Sequence, residues 1–176
     1  MEKLRVIKYG NPILRTKARK IDKIDNRIQN LADDMILTMA IDGGIGLAAP
    51  QVAESLALLV VDHSLIFEDG EPTAYINPKI ISSEGDSVME EGCLSIPDIH
   101  EEVKRPEIIT LHYQDIEGET KEEQFDGLLA RVLQHEIDHL NGVLFVDRIS
   151  ALKKQLLKKE LKAISDEERM VMKQVA

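Results

Sequence analysis

A chain of 176 residues with 43% apolar and 31% charged side chains has the size and composition of one soluble globular domain, long enough to bury a core without disulfides. Its formal charge of -10 opposes broad binding to nucleic-acid phosphates, and the longest apolar run, Leu56 to Val61, falls far short of the ~18 residues of a spanning helix. Met1-Glu2-Lys3-Leu4-Arg5 leads into no signal-peptide core, so a cytoplasmic protein with neither membrane nor DNA as a partner is expected.

Leu4 to Tyr9 reads as a short extended segment, which Gly10-Asn11-Pro12 turns. Ile28, Leu31, Met35 and Met39 keep helical spacing, predicting a helix over 25–40 capped by Asp25 or Asn26. Gly43-Gly44-Ile45-Gly46 ends that helix. No Gly-Lys-Ser/Thr follows, which removes the phosphate-loop reading and leaves a tight turn or a loop presenting its backbone and the Gln51 amide to a ligand. The continuously apolar stretch from Leu56 to Asp62 predicts a strand buried on both faces. Further strands are expected at 74–78, 80–81 and 87–91, and a hairpin at 108–113 and 120–125 around Asp115-Ile116-Glu117-Gly118. Leu128, Val132, His135 and His139 fall at i, i+4, i+7 and i+11, so one buried stripe of a helix ending at Asn141-Gly142 carries both histidines. From Ser150 to about Ile164 a last helix is marked by Leu152, Leu156, Leu157 and Leu161 among lysines. Ser150 to Ala176 holds seven basic and four acidic side chains, a net of +3 on a chain of -10.

Chemistry concentrates in His135-Glu136-Ile137-Asp138-His139. Two imidazoles one helical turn apart can share an ion, and the glutamate beside the first is rotated out of the ligand set yet close enough to exchange a proton with bound water. Cys93 has no disulfide partner in this chain; it is a buried thiol, a nucleophile or the third ligand, the last because thiolate and imidazole suit the same divalent ions. Three other readings compete. A metallopeptidase of the His-Glu-x-x-His type takes its third ligand downstream, where no histidine occurs and Glu160, Glu167 and Glu168 lie in a charged tail. A structural metal site in a binding module needs a fourth ligand, and His63, His100 and His112 have no useful spacing to Cys93 or the helix. A cysteine hydrolase pairing Cys93 with a histidine leaves Glu136 unexplained.

Gly44-Ile45-Gly46-Leu47-Ala48-Ala49-Pro50-Gln51, Glu91-Gly92-Cys93-Leu94-Ser95 and Gln134-His135-Glu136-Ile137-Asp138-His139 together resemble the three signature motifs of the bacterial peptide deformylases, in the family's order. The likeness runs from Tyr9-Gly10-Asn11-Pro12-Ile13-Leu14-Arg15 to Asp147-Arg148-Ile149. It implies a hydrolase that removes the formyl group from N-formylmethionyl nascent peptides. Cys93, His135 and His139 would hold one divalent ion, Fe(II) with Zn, Ni or Co as substitutes, and water as fourth ligand. Glu136 would be general acid and base; the Gln51 amide and the Leu94 N–H would stabilise the oxyanion. Gly44, Ile45, Gly46, Met89, Glu91, Leu128 and Val132 would bind the substrate, with Ile45, Met89, Leu128 and Val132 lining the methionine pocket. The last helix would dock on the ribosome. Two positions depart from the family's pattern. Gly43 stands where an acidic residue is common and His100 where arginine is common, so Arg105, which matches a frequent arginine, is expected to lack its usual partner.

The expected architecture is α+β: antiparallel strands around a central metal-binding helix, with an N-terminal and a C-terminal helix outside. Residues 1–149 would form the catalytic domain, and 150–176 a basic helix and tail of the same domain.

Overall fold

Antiparallel pairing dominates the computed structural model, which describes residues 1–176. Strands β1 (Gly46–Ala48), β2 (Leu58–Asp62), β3 (Pro72–Glu84), β6 (Ile108–Gln114) and β7 (Thr120–Asp126) form one sheet in the order β1-β2-β3-β6-β7; β4 (Ser87–Cys93) and β5 (Ile96–Arg105) form a separate hairpin. Helix α1 (Asn26–Asp42) covers one face of the sheet and α2 (Gly127–Leu140) the other. Strand β2 explains the arrangement, since side chains alternate along a strand. Leu58 and Val60 join Met35 and Met39 of α1, whereas Leu59 and Val61 join Leu129 and Leu133 of α2, and all four strand residues are fully buried.

Asp25 caps α1 by accepting from the Ile28 N–H at 3.2 Å, and Gly43 closes it in the left-handed conformation at φ 74. The two apolar stretches at 74–78 and 80–81 are parts of the single strand β3, interrupted by a bulge between Ile76 and Lys79 where Asn77 takes φ 51. Leu4 to Tyr9 is extended but belongs to no sheet; it is fastened through Ile7 N–H to Gln51 O and Tyr9 N–H to Ser95 O, each at 2.8 Å.

Strand β5 was not expected. Its inward residues are Ile96, Ile99, Val103 and Arg105, and the period of two slips at Asp98, whose φ of 64 turns the chain by one residue. Helix α2 also differs: every residue from Leu129 to Leu140 is buried, so it is enclosed all round and carries no single stripe. Leu128, placed on the buried stripe by spacing, is 39% exposed in the first turn.

The last helix is two helices. α3 (Ala151–Leu156) stops at Leu157, and α4 (Lys158–Val175) runs well past Ile164. Leu161, Ser165 and Glu168 form the buried stripe of α4. The Glu168 carboxylate accepts from Asn11 Nδ2 at 3.0 Å and from Arg5 Nη2 at 2.5 Å. Gly10, at φ 103, lies directly under Ser165, and a Cβ there would overlap its hydroxyl. α4 is thus bound to the N-terminal segment. No helix is long and apolar enough to cross a membrane.

Candidate metal centre

His135 and His139 project from consecutive turns of α2, their rings 5.1 Å apart between centroids. Cys93 comes from the other layer, the last residue of β4, and its Sγ lies 3.3 Å from His139 Nε2. One donor atom from each of these three residues lies within 4.8 Å of the others, a possible metal site. The turn Leu94–Ser95 after Cys93 is fixed from below by Lys8 Nζ, which donates to Leu94 O at 2.7 Å, and by the Tyr9 N–H on Ser95 O.

The donor set fits a divalent ion on its own chemistry. A thiolate and two imidazoles are the ligands that borderline-soft ions take. His135 Nδ1 lies 2.8 Å from Glu91 Oε1. Burial disfavours a charged Glu91, but its bonds to His135 and Arg105 outweigh that and hold the carboxyl below the usual carboxylate range. An ionised Glu91 requires the proton on Nδ1, which leaves the Nε2 lone pair free for the cluster. His139 Nδ1 is buried without a partner in the protein. In the absence of an ion the two rings are driven apart: burial opposes a charge on both, hydrogen bonds to Cys93 and Glu91 raise His135 well above the ordinary value, and His135 in turn helps to push His139 well below it. A cation among these donors removes the conflict by replacing the shared proton.

Glu136 is next to His135 and is as buried as Glu91 but lacks its donors. It is 4% exposed, and its Oε2 has no hydrogen-bond partner in the protein. Burial, with the charges of Glu91 and Asp138 adding to it, raises its pKa to about 7. Gly46 of β1 faces it so closely that a Cβ would lie 2.8 Å from Glu136 Oε1 and 2.9 Å from Val132 Cγ1, so only glycine fits there. Gln51 is oriented from behind: its Oε1 accepts from the Ala48 N–H at 2.9 Å, and its Nε2 points to Ser95 Oγ at 3.1 Å and Cys93 Sγ at 3.5 Å.

A cavity of about 1050 Å³ opens over this centre. Gly44, Ile45, Gly46, Gln51, Leu94, Leu128, Val132 and Glu136 line it together with Cys93 and His135. Met89, expected in the methionine pocket, is not among its lining residues; it pairs with Val103 across the hairpin instead. Glu91, expected at the substrate, does border the cavity, but it is 6% exposed and spends both oxygens on Arg105 Nε and Nη2, Arg131 Nη1 and His135 Nδ1 at 2.6–2.9 Å. It orients a ligand and has no oxygen left for a substrate.

Arg105 corrects a further expectation. It is 3% exposed and fully engaged, to Glu91 by two bonds and to Asp138 Oδ2 by one at 2.8 Å. Arg148 completes the chain from the other side at 2.5 and 2.7 Å to Asp138. The sequence alone assigns no role to Arg131, Asp138 or Arg148, although Arg131 stands four residues before His135 and therefore on its stripe of α2. That spacing was a usable signal. Replacing Arg105 by Met leaves two buried carboxylates short of their partner. We expect a loss of about 3–5 kcal/mol in urea unfolding and, through the freed His135 ring, metal affinity about 10–100-fold weaker. A loss under about 1 kcal/mol, typical of a surface pair, would contradict the role.

The chain matches the polypeptide deformylase family over residues 3–155, so α4 lies beyond the matched segment. It is 52% identical over 141 residues to a peptide deformylase of Dictyoglomus thermophilum, covering 80% of this chain and 89% of that one. With a Chlorobaculum tepidum peptide deformylase it shares 49% identity over 160 residues, 90% of this chain and 86% of the relative. The crystal structure of a Legionella pneumophila peptide deformylase superposes with a TM-score of 0.86 at 38% identity, covering 95% of this chain and 98% of that one. Motifs, fold and kinship agree: this chain is a member of the polypeptide deformylase family.

Proposed function

We infer that this chain removes the N-terminal formyl group from formyl-methionyl nascent polypeptides by metal-dependent hydrolysis, releasing formate. The observation that carries the reading is the convergence of Cys93, His135 and His139 beside buried Glu136, with Cys93, His135 and Glu136 lining the cavity, in a chain of this family. Neither a metallopeptidase nor a structural metal module is favoured by that kinship.

The residue roles follow as proposals. Cys93, His135 and His139 are the ligands, and the ion they hold supplies the positive charge that acidifies water and polarises the formyl group at neutral pH. Glu136 accepts the proton that water gives up as its oxygen bonds the formyl carbon, and returns it to the amine as the C–N bond breaks; a carboxyl group shifted toward neutrality by burial is suited to both transfers. The Gln51 amide, aimed by Ala48, and the Leu94 N–H after the ligand cysteine meet the negative charge growing on the formyl oxygen. Ile45, Leu128 and Val132 give the methionine side chain an apolar wall, and the backbone of Gly44 and Gly46 lets an extended peptide approach closely. Fe(II) is the proposed resident ion, with Zn, Ni or Co able to replace it.

Glu136→Gln is expected to keep its metal and to release formate from formyl-Met-Ala-Ser about 10²–10⁴-fold more slowly, the range for a lost acid–base group. Activity within about threefold of the parent would refute the assignment. In the same assay the iron-loaded parent should lose activity in air while the nickel-loaded one keeps it, because a thiolate beside Fe(II) invites oxidation; equal decay would exclude iron as the reason.

The ribosome is the proposed site of action. Lys158, Lys162, Arg169 and Lys173 follow helical spacing along an outward stripe of α4, and all but Lys162, which bonds Asp166 at 2.6 Å, have no acidic partner. Lys153 and Lys154 on α3 are held instead by Glu101 and Asp147, so the basic surface is smaller than composition suggests. Reversing Lys158, Arg169 and Lys173 to Glu should abolish co-sedimentation with ribosomes at low salt, where phosphate contacts are strongest. Co-sedimentation equal to the parent would rule the docking surface out.

A further inference from the structure

The cavity continues beyond the metal centre. Its far wall is the third stripe of α4, Ile164, Glu167 and Val171 at i, i+3 and i+7, facing the N-terminal segment at Leu4 and Val6. This stripe adjoins the buried one (Leu161, Ser165, Glu168), whose Glu168 also borders the cavity, and is distinct from the outward basic one. Lys8 connects the two ends: its ammonium bonds Leu94 O beside the ligand cysteine, and it also lies in the field of Glu168 on α4. A formyl-methionyl end is smaller than the ligands for which cavities of ~300–1,000 Å³ suffice, so the space before α4 is free for the residues that follow it.

The charges along this wall are unevenly used. Glu168 is taken by Arg5 and Asn11, Asp42 is paired with Lys3 at 2.7 Å, and Lys8 is committed to a carbonyl. Glu167 has no cationic partner, is exposed, and stands between two half-buried aliphatic side chains, Ile164 and Val171. A surface of that kind suits lysine or arginine, whose methylenes cover apolar groups while the charged head reaches an acid.

We propose that α4 is a specificity wall of the active site, receiving a basic side chain of the substrate downstream of the formyl-methionine, its stem on Ile164 and Val171 and its cation at Glu167. The proposal rests on the deformylase reading and extends it to the sequence that follows the first residue. The occupant is the substrate's own chain, since the groove is continuous with the site that holds its formyl end.

The test compares kcat/KM for formyl-Met-Ala-Lys-Ala and formyl-Met-Ala-Ala-Lys with their glutamate counterparts at low salt, using the metal-loaded full chain. At one of the two positions the parent should prefer Lys to Glu by about twofold to fivefold, the worth of an exposed ion pair. Glu167→Gln should bring that ratio close to unity, and Glu167→Lys should invert it. Ratios of unity at both positions in the parent would overturn the proposal. So would a preference for Lys that survives in both variants, because the field of a chain carrying -10 would then explain it without α4. If none of the peptides yields formate, the deformylase reading itself fails and this proposal falls with it; formate release with unselective ratios defeats the specificity wall alone.

Discussion

One buried carboxylate joins the two layers from which the ligands come. Glu91 stands on β4, two residues before Cys93, and takes Arg131 and His135 from α2 as well as Arg105 from β5. An unpaired carboxylate in that position would cost several kcal/mol, and pairing with two guanidinium groups offsets it only because the geometry uses every lone pair. The same bonds fix the distance between the hairpin and the helix. They also set the tautomer of His135, so the network that holds the fold together prepares the nitrogen that faces the cluster. Asp138 and Arg148 extend the network to the segment leading into α3, tying the whole return of the chain to the same helix.

Two buried glutamates, one bonded to His135 and one beside it in sequence, are put to opposite uses by their surroundings. Glu91 is surrounded by donors and stays ionised; Glu136 has an unpartnered oxygen, is approached closely by Gly46, and is shifted up to about 7. Environments that push like groups apart in pKa are the usual way for a site to obtain one permanent charge and one group able to exchange a proton. The positive charge of an ion held beside it would lower Glu136 again, which ties its proton affinity to occupation of the centre.

Much of this was legible in the chain because the chemistry needs fixed spacings. Helix α1 with its Asp25 cap, the doubly buried strand β2, the hairpin β6–β7 and the histidine pair on α2 all rest on local periodicity, and the structure has them. The elements that escaped depend on partners far away in sequence. Strand β5 hides because Asp98 shifts its period and its inward positions include a charged arginine whose burial makes sense only beside Glu91 and Asp138. Met89 is expected in the pocket by analogy of position, whereas it stands opposite Val103 in the hairpin and does not line the cavity. At the break, Leu157 packs on the cluster of Ile96, Ile99, Val103 and Phe145, and farther along α4 Glu168 is held by Arg5 and Asn11, contacts about which helical propensity says nothing. Among the site residues, the three donors and Glu136 were legible from motif chemistry, whereas the supporting roles of Glu91, Arg105, Arg131, Asp138 and Arg148 depend on contacts between distant segments.

Helix α4 presents three faces: a buried stripe that meets the N-terminal segment, a second along the cavity and a third of outward cations. The chemistry of the site nonetheless depends on the ion that Cys93, His135 and His139 would share. Titrating the metal-free protein with Co(II) tests this most directly, since a thiolate ligand produces a sulfur-to-cobalt charge-transfer band in the near ultraviolet. The account predicts that the band saturates at about one equivalent of metal and is absent from Cys93→Ser, in keeping with a single site that uses one thiolate. Cobalt bound without that band, or a band of full intensity in Cys93→Ser, would contradict it.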